Sequence, residues 1–179
     1  MYELVTSEEA KTYLKLDTVP VDLPPLITNL SARAEAHCRR WFIQRPAVET
    51  LDVLPGQRFL YLSHYPVVGT PTVTDLETLT PITGFVVAPD RGMLYLESGW
   101  PDGVQRIKVE YTAGLCPDVA SVPADVKQAC LEWLAARYQR RDPSVKREVL
   151  GDYQYSAEET NGLPANVEAA LSLYRVPGG

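Results

Sequence analysis

Histidine is almost absent: the 179 residues hold only His37 and His64. That leaves little material for a histidine-based triad or a multi-histidine metal centre. His37 adjoins Cys38 on a predicted helix, where sequence neighbours face different ways and do not share a ligand. Ser63-His64-Tyr65 reads as extended chain, and adjacent strand residues point to opposite faces. Gly-x-Ser-x-Gly, a Walker loop and a dinucleotide fingerprint are all missing. Cysteine is scarce too. Cys38, Cys116 and Cys130 are odd in number and lack Cys-x-x-Cys spacing, and two sit on apolar helix faces, so they read as reduced, buried thiols of a cytoplasmically made protein. Positive charge is short as well. A formal charge of −6 argues against a protein whose main task is gripping nucleic acid. No apolar run approaches the about eighteen residues that span a bilayer, and Met1-Tyr-Glu-Leu4 does not read as a signal sequence. Acids are plentiful, but spacing singles out no pair, and they read as solvated surface. These absences predict no enzyme chemistry, no metal site, no cofactor and no membrane partner.

What is present is a core. Hydrophobic residues make up 45% of the chain, enough for one globular domain or a helical core with one inserted subdomain. The organising stretch runs from Gln105 to Arg141. Ile107, Val109 and Tyr111 alternate with Arg106, Lys108 and Glu110, which predicts a half-buried strand. Ala113-Gly114 ends it. Pro123 and Asp125 suit a helix start, and Val126, Ala129, Cys130, Trp133, Leu134 and Tyr138 follow helical spacing to an end near Arg141.

Upstream, Thr6-Ser-Glu-Glu9 is a capping box for a short helix to about Leu14. Asp22-Leu-Pro-Pro25 opens a longer helix with a stripe of Leu23, Leu26, Ile27, Leu30, Ala34, Cys38, Trp41 and Phe42, closed by Pro46. Arg33, Glu35, Arg39 and Arg40 are expected to face away. The two long helices are predicted partners, with Trp133 against Leu30, Ala34 and Cys38. Between them, six candidate strands are Val48–Leu54, Arg58–Leu62, Thr72–Leu76, Gly84–Ala88, Met93–Glu97 and Gln105–Thr112. Pro55-Gly56, Pro66, Gly69-Thr-Pro71 and Pro89-Asp-Arg-Gly92 punctuate them, with Gly92 expected at positive φ. The fold class is therefore α+β: a helical core with an inserted small antiparallel β-sandwich or open barrel. The expected division is 1–47 with 113–145 as helical core, 48–112 as β insertion, and 146–179 as C-terminal arm and short helix.

Charge then segregates. From Arg137 to Arg147 five bases (Arg137, Arg140, Arg141, Lys146, Arg147) stand against Asp142, a local charge of +4. From Glu148 to Ala170 there are five acids and no base, a local charge of −5. The basic run admits three readings: a solvated helix end complementing the dipole, intersubunit ion pairs, or a phosphate-facing ring. Tyr153-Gln-Tyr155 reads as a short strand or extended arm. Leu163-Pro164 starts a terminal helix with Val167, Ala170, Leu171 and Tyr174 on one stripe. The segment is too polar to order alone and is expected to fold against a partner, or back on its own helical core.

One series of short motifs runs through nearly the whole chain. Its members are Leu4-Val-Thr6 with Glu8-Glu-Ala10 and Leu14; Leu26-Ile27 through Ala32, Ala34 and Glu35; and Leu62 with Pro66-Val67. They continue with Gly92-x-Leu94-Tyr-Leu96, Trp100-Pro101, Val109-Glu-Tyr-Thr-Ala-Gly114, Val122-Pro123 with Lys127 and Ala129, Tyr138-x-x-Arg141, Leu163-Pro164 and Tyr174-Arg175. In order and spacing these resemble the tailed-bacteriophage head-tail connector family (adaptor or head-completion proteins), in its larger form with a β insertion. Cys116 to Ser121 has no counterpart in the resemblance. The resemblance implies a structural protein of the virion neck, made in the host cytoplasm. It would form a dodecameric ring under the portal protein, extend the DNA channel without sequence-specific contact, and meet a downstream neck or tail-completion protein. It also implies portal docking by the tail, with Leu163, Val167, Leu171, Tyr174 and Arg175 as candidates. Arg137, Arg140, Arg141, Lys146 and Arg147 are the intersubunit or channel candidates. Two alternatives come from other classes. One is a β-sandwich module stacking a ligand or glycan on Trp100, Tyr61, Tyr65 and Tyr95; the other is a metal-dependent DNA-processing enzyme.

Overall fold

The computed structural model describes residues 2–139 and 162–176. The fold is α+β, with four α-helices and two antiparallel sheets among those residues. It divides into two compact units, Met1–Arg40 with Val119–Gly179, and Trp41–Asp118.

The first unit is helical. Its helices are α1 (Ser7–Leu14), α2 (Leu23–Cys38), α3 (Ala124–Gln139) and α4 (Ala165–Ser172). The predicted capping box starts α1: the Glu9 amide donates to Thr6 Oγ1 at 3.1 Å, and the Thr6 amide donates to Glu9 Oε2 at 2.7 Å. Glu9 also accepts from Lys127 Nζ of α3 at 2.7 Å, which ties the first helix to the third. Asp22 occupies the cap position of α2 without a side-chain cap bond. That helix stops earlier than the apolar stripe suggests. Arg39 turns left-handed (φ 52°), its amide donates to Ala36 O, and the Arg40 amide donates to Glu35 O at 3.2 Å. The last carbonyls are thereby satisfied. Trp41 and Phe42 thus lie beyond the helix, and Pro46 belongs to a strand. Glu35, expected outside, is buried.

Trp133 is 3% exposed, and its indole N–H donates to Gly162 O at 3.1 Å. The Arg33 guanidinium of α2 lies 5.6 Å from the centre of the indole ring. Leu30, Ala34 and Cys38 on α2 and Val126, Cys130 and Leu134 on α3 are buried in the same unit.

The second unit carries β1 (Arg45–Val53), β2 (Phe59–Tyr61), β3 (Val67–Asp75), β4 (Thr80–Ile82), β5 (Val86–Ala88), β6 (Met93–Tyr95) and β7 (Gly103–Ala113). One sheet has the order β1-β7-β3-β4 and the other β2-β6-β5. A single core joins them, with Val73, Ile107 and Val109 from the larger sheet, Leu60 and Leu94 from the smaller, and Trp100 beside them. Two corrections concern proline. Gly69-Thr-Pro71 is not a turn between strands but an irregularity inside β3, where the register against β7 shifts between Val68 and Thr72 and Gly69 takes φ 72°. β4 was not expected, because Thr80-Pro81-Ile82 is short and contains proline; it sits at a sheet edge, where a missing N–H is tolerated. Gly92 has the expected positive φ (59°) after the 3-10 turn Pro89–Arg91.

The chain enters and leaves this unit side by side. The Gln44 amide donates to Cys116 O at 2.8 Å, and the Cys116 amide to Phe42 O at 2.7 Å. Gly114 lies at that junction with φ 144°, and a Cβ there would fall 2.6 Å from Gln44 Cα. Only glycine permits so close a backbone approach.

Candidate functional site

The C-terminal helix is seated on its own unit. Val167 and Leu171 are fully buried and Leu163 nearly so. Three bonds fix the segment: Trp133 to Gly162, Cys38 Sγ to Leu171 O at 3.4 Å, and the Val176 amide to Cys38 O at 3.0 Å. The Tyr174 hydroxyl lies 2.9 Å from both carboxylate oxygens of Asp125, in the first turn of α3. Of the two expected readings, ordering on a partner and folding back on its own core, α4 takes the second. A narrow stripe suffices because α2 and α3 already present an apolar seat, so few extra side chains complete it. Of the five docking candidates, Arg175 is exposed and Tyr174 half-buried.

Arg137 is the one described member of the basic set. Its Nη2 lies 3.5 Å from where a Cβ on Gly162 would stand, and Arg33 Nη2 lies 3.9 Å from the same point. Two guanidiniums therefore flank the backbone that leads into α4. Arg140, Arg141, Lys146 and Arg147 lie outside the described residues, as does the Tyr153-Gln-Tyr155 arm.

The β unit holds two polar clusters that sequence order did not reveal. In the first, buried Asp75 ends β3 and receives a two-pronged grip from Arg106 of β7, with Nε to Oδ1 at 3.0 Å and Nη2 to Oδ2 at 3.1 Å. Arg106 also pairs with Glu77 and donates to Asp102 O at 3.0 Å, while the Glu77 amide donates to Asp75 Oδ1 at 3.0 Å. The Arg106 hydrogen bond outweighs burial and holds the Asp75 carboxyl down at about 2. The cluster locks the β3–β4 hairpin to β7. Cross-strand register puts Asp75 opposite Ile107, one residue from Arg106, but only the folded ladder shows it.

In the second cluster, Glu49 of β1 accepts from the Tyr111 hydroxyl, the Ser63 amide (3.1 Å) and the Ser63 hydroxyl (3.1 Å). Tyr111 O in turn accepts from the His64 amide at 3.3 Å. Burial, then the Glu49 carboxylate, pushes the Tyr111 hydroxyl pKa far up, so it remains a donor. Ser63 and His64 stand in a loop rather than a strand. The Ser63 hydroxyl bonds Glu49, and the imidazole stacks on Trp41 at 3.5 Å, with the Arg45 guanidinium 4.0 Å from the same indole. This arrangement braces a loop. Among the described residues, no group of three or more His, Cys, Asp or Glu could hold a metal ion.

The outer faces of the two sheets differ in kind. On the larger sheet, Thr50, Lys108 and Thr74 share one cross-strand row and Val48, Glu110 and Thr72 another, with a Lys108–Glu110 ion pair at 2.9 Å. On the smaller sheet, Phe59, Tyr95 and Val86 share one row and Tyr61, Met93 and Ala88 the other, with no charged residue. Tyr61 is 65% exposed. Trp100, proposed as part of a stacking platform, is instead in the core with its indole N–H on Arg58 O at 2.9 Å. Its apolar bulk has a pocket and its one donor a partner, so it cannot present a flat face to a ligand.

No curated protein matches the chain. Among solved structures, the neck of an empty GTA particle, computed with C6 symmetry, matches at TM-score 0.68 and 22% identity, covering 98% of this chain and 93% of that one. The neck of a native GTA particle, computed with C12 symmetry, matches at 0.67 and 22%, covering 96% and 90%. The virion of a native gene transfer agent particle matches at 0.66 and 22%, covering 98% and 93%. These likenesses show a shared fold. A family model described as head completion protein matches residues 3–176, and the chain belongs to that family.

Proposed function

We propose that this chain is a structural protein of the virion neck, one subunit of a ring that docks under the portal protein and connects head to tail. The observation that carries the reading is the head completion family match over residues 3–176. The C12 symmetry of a neck containing a similarly folded chain supports a ring of twelve copies. A net charge of −6 suits a conduit, because passing DNA is not held by phosphate contacts. The reading assigns the chain no catalytic step and no cofactor.

In this reading the helical unit faces the portal. The buried residues Leu163, Val167 and Leu171 act by seating α4, and Arg175 offers its guanidinium to a portal carboxylate. Arg140, Arg141, Lys146 and Arg147 meet acidic groups of a neighbouring subunit or the portal. A downstream neck or tail-completion protein binds the opposite side of the ring. The test is to delete the chain during particle assembly and restore a tagged copy. The expected result is DNA-filled heads without tails on deletion, and a ring of tagged density at the neck on restoration. Tailed, DNA-retaining particles made without the chain would overturn the reading.

A further inference from the structure

The β unit carries two apolar surfaces that its own core leaves uncovered. One is the aromatic outer face of the β2-β6-β5 sheet, with Phe59, Tyr61, Tyr95 and Val86. The other is an aliphatic end of the larger sheet. Val53 pairs with Gly103, and Asp75 with Ile107, so Leu54, Val104 and Leu76 emerge at the same end. The β3–β4 turn adds Leu79 there. Leu79 is 75% exposed and Val104 85%.

Leu79 is the informative member. It stands in the left-handed region at φ 56°, where a large side chain is disfavoured and glycine or asparagine is usual. A bulky apolar side chain there is strained without being buried. Its hairpin is nonetheless held by the Asp75–Arg106 pair and by Glu77. A rigid turn that presents an exposed leucine at a conformational cost fits a knob for a partner surface. Arg106 at the Leu79 end is paired with Asp75 and Glu77, and the exposed rows of the smaller sheet hold no charged residue, so neither surface is built to attract DNA phosphate.

We infer that neighbouring subunits of the ring join through these surfaces, the Leu79 end of one β unit seating on the Tyr61 face of the next. The inference rests on the neck reading above. A head-to-tail ring needs two different, complementary faces on each subunit, whereas one self-complementary face would close a dimer. Two unlike apolar patches on one unit meet the first requirement, and the C12 symmetry of the similar neck makes a second copy the fitting occupant.

The test is cross-linking in assembled particles with a flexible bis-maleimide. The three native cysteines are buried, so introduced thiols are the reactive ones. With Tyr61→Cys and Leu79→Cys in the same chain, a ladder of covalent multimers is expected. Each substitution alone should give monomer, and particles mixed from the two single variants should give dimers and nothing larger. Leu79→Gly adds a second measurement. Relief of the left-handed strain should hold or raise the melting temperature, while the yield of tailed particles falls at least tenfold. Monomer alone from the double variant, in particles that contain the chain, overturns the inference and leaves the neck reading intact. Dimer from Tyr61→Cys alone also overturns it, because the aromatic face would then pair with itself. Absence of the chain from tailed particles overturns both.

Discussion

Trp133 ties three helices together, since its ring lies beneath Arg33 of α2 and its N–H holds the residue that leads into α4. Trp133→Ala removes the packing and also leaves Gly162 O without its donor, so a loss of about 3–5 kcal/mol is expected. An unchanged urea midpoint would contradict this. Gly114 works differently, through a missing atom. A Cβ would strike the backbone at Ile43 and Gln44 rather than a side chain that could swing away. Gly114→Ala should therefore cost at least about 2 kcal/mol, read from the same unfolding curve. The cysteines owe their inertness to burial. Burial pushes the Cys38 thiol up to about 11 and Cys130 up to about 12, and burial with Asp118 raises Cys116. Thiolate at pH 8 is then on the order of one in a thousand or less for Cys38 and Cys130. Iodoacetamide at pH 8 should modify none of the three in the native protein and all three in urea; native labelling of Cys130 would show that its site opens.

The elements were legible where one periodicity persisted. α3 and β7 follow from spacing alone, and α1 from its capping box, because local chemistry and burial agree there. The misses lie where a local signal met a tertiary one. Apolar Trp41 and Phe42 extend the α2 pattern, yet backbone capping at Arg39 ends the helix first. Gly69 and Pro71 look like a turn, yet a bulge absorbs both within β3. The Asp75–Arg106 clamp was not legible at all, since its partners are 31 residues apart and meet only through strand register. That clamp makes the β3–β4 hairpin acid-sensitive. The Asp75 carboxyl is held down at about 2 in the folded chain against an ordinary 3.8, so its stabilising contribution is complete above about pH 5 and lost as pH falls through 2. Wild type should exceed Asp75→Asn in melting temperature by a constant margin above pH 5, and that margin should shrink between pH 4 and 2. An equal margin at pH 6 and pH 2 would place the stabilisation elsewhere. For α4, removal of residues 163–179 exposes the apolar seat on α2 and α3, so the melting temperature should fall; an unchanged melt would mean that the seat is empty in solution.

At the scale of the whole molecule, charge is sorted along the chain while the total stays acidic. Arg175 is exposed three residues beyond the end of α4, with Tyr174 held by Asp125 beside it. A guanidinium in that position can pair with a partner carboxylate without disturbing the core beneath it. Charge-assisted hydrogen bonds of this kind contribute roughly 1.5–3 kcal/mol, or about ten- to a hundredfold in affinity. In the proposed neck role, Arg175→Ala should thus weaken binding to purified portal by about that factor and leave the melting temperature within a degree. The basic run makes a separate contribution. In the proposed neck role, Arg140 and Arg141 meet acidic groups of a neighbouring subunit or the portal through exposed pairs, which salt screens. Reversing both to Glu should lower docking more than it lowers stability, and rising salt should weaken wild-type docking more steeply than docking of the reversed variant. The two effects separate cleanly, because a local hydrogen-bonded pair at Arg175 is less sensitive to ionic strength than a diffuse charge run. Portal binding that is indifferent to salt, to the double reversal and to Arg175→Ala would leave both basic features on an idle surface and move the docking face elsewhere on the helical unit.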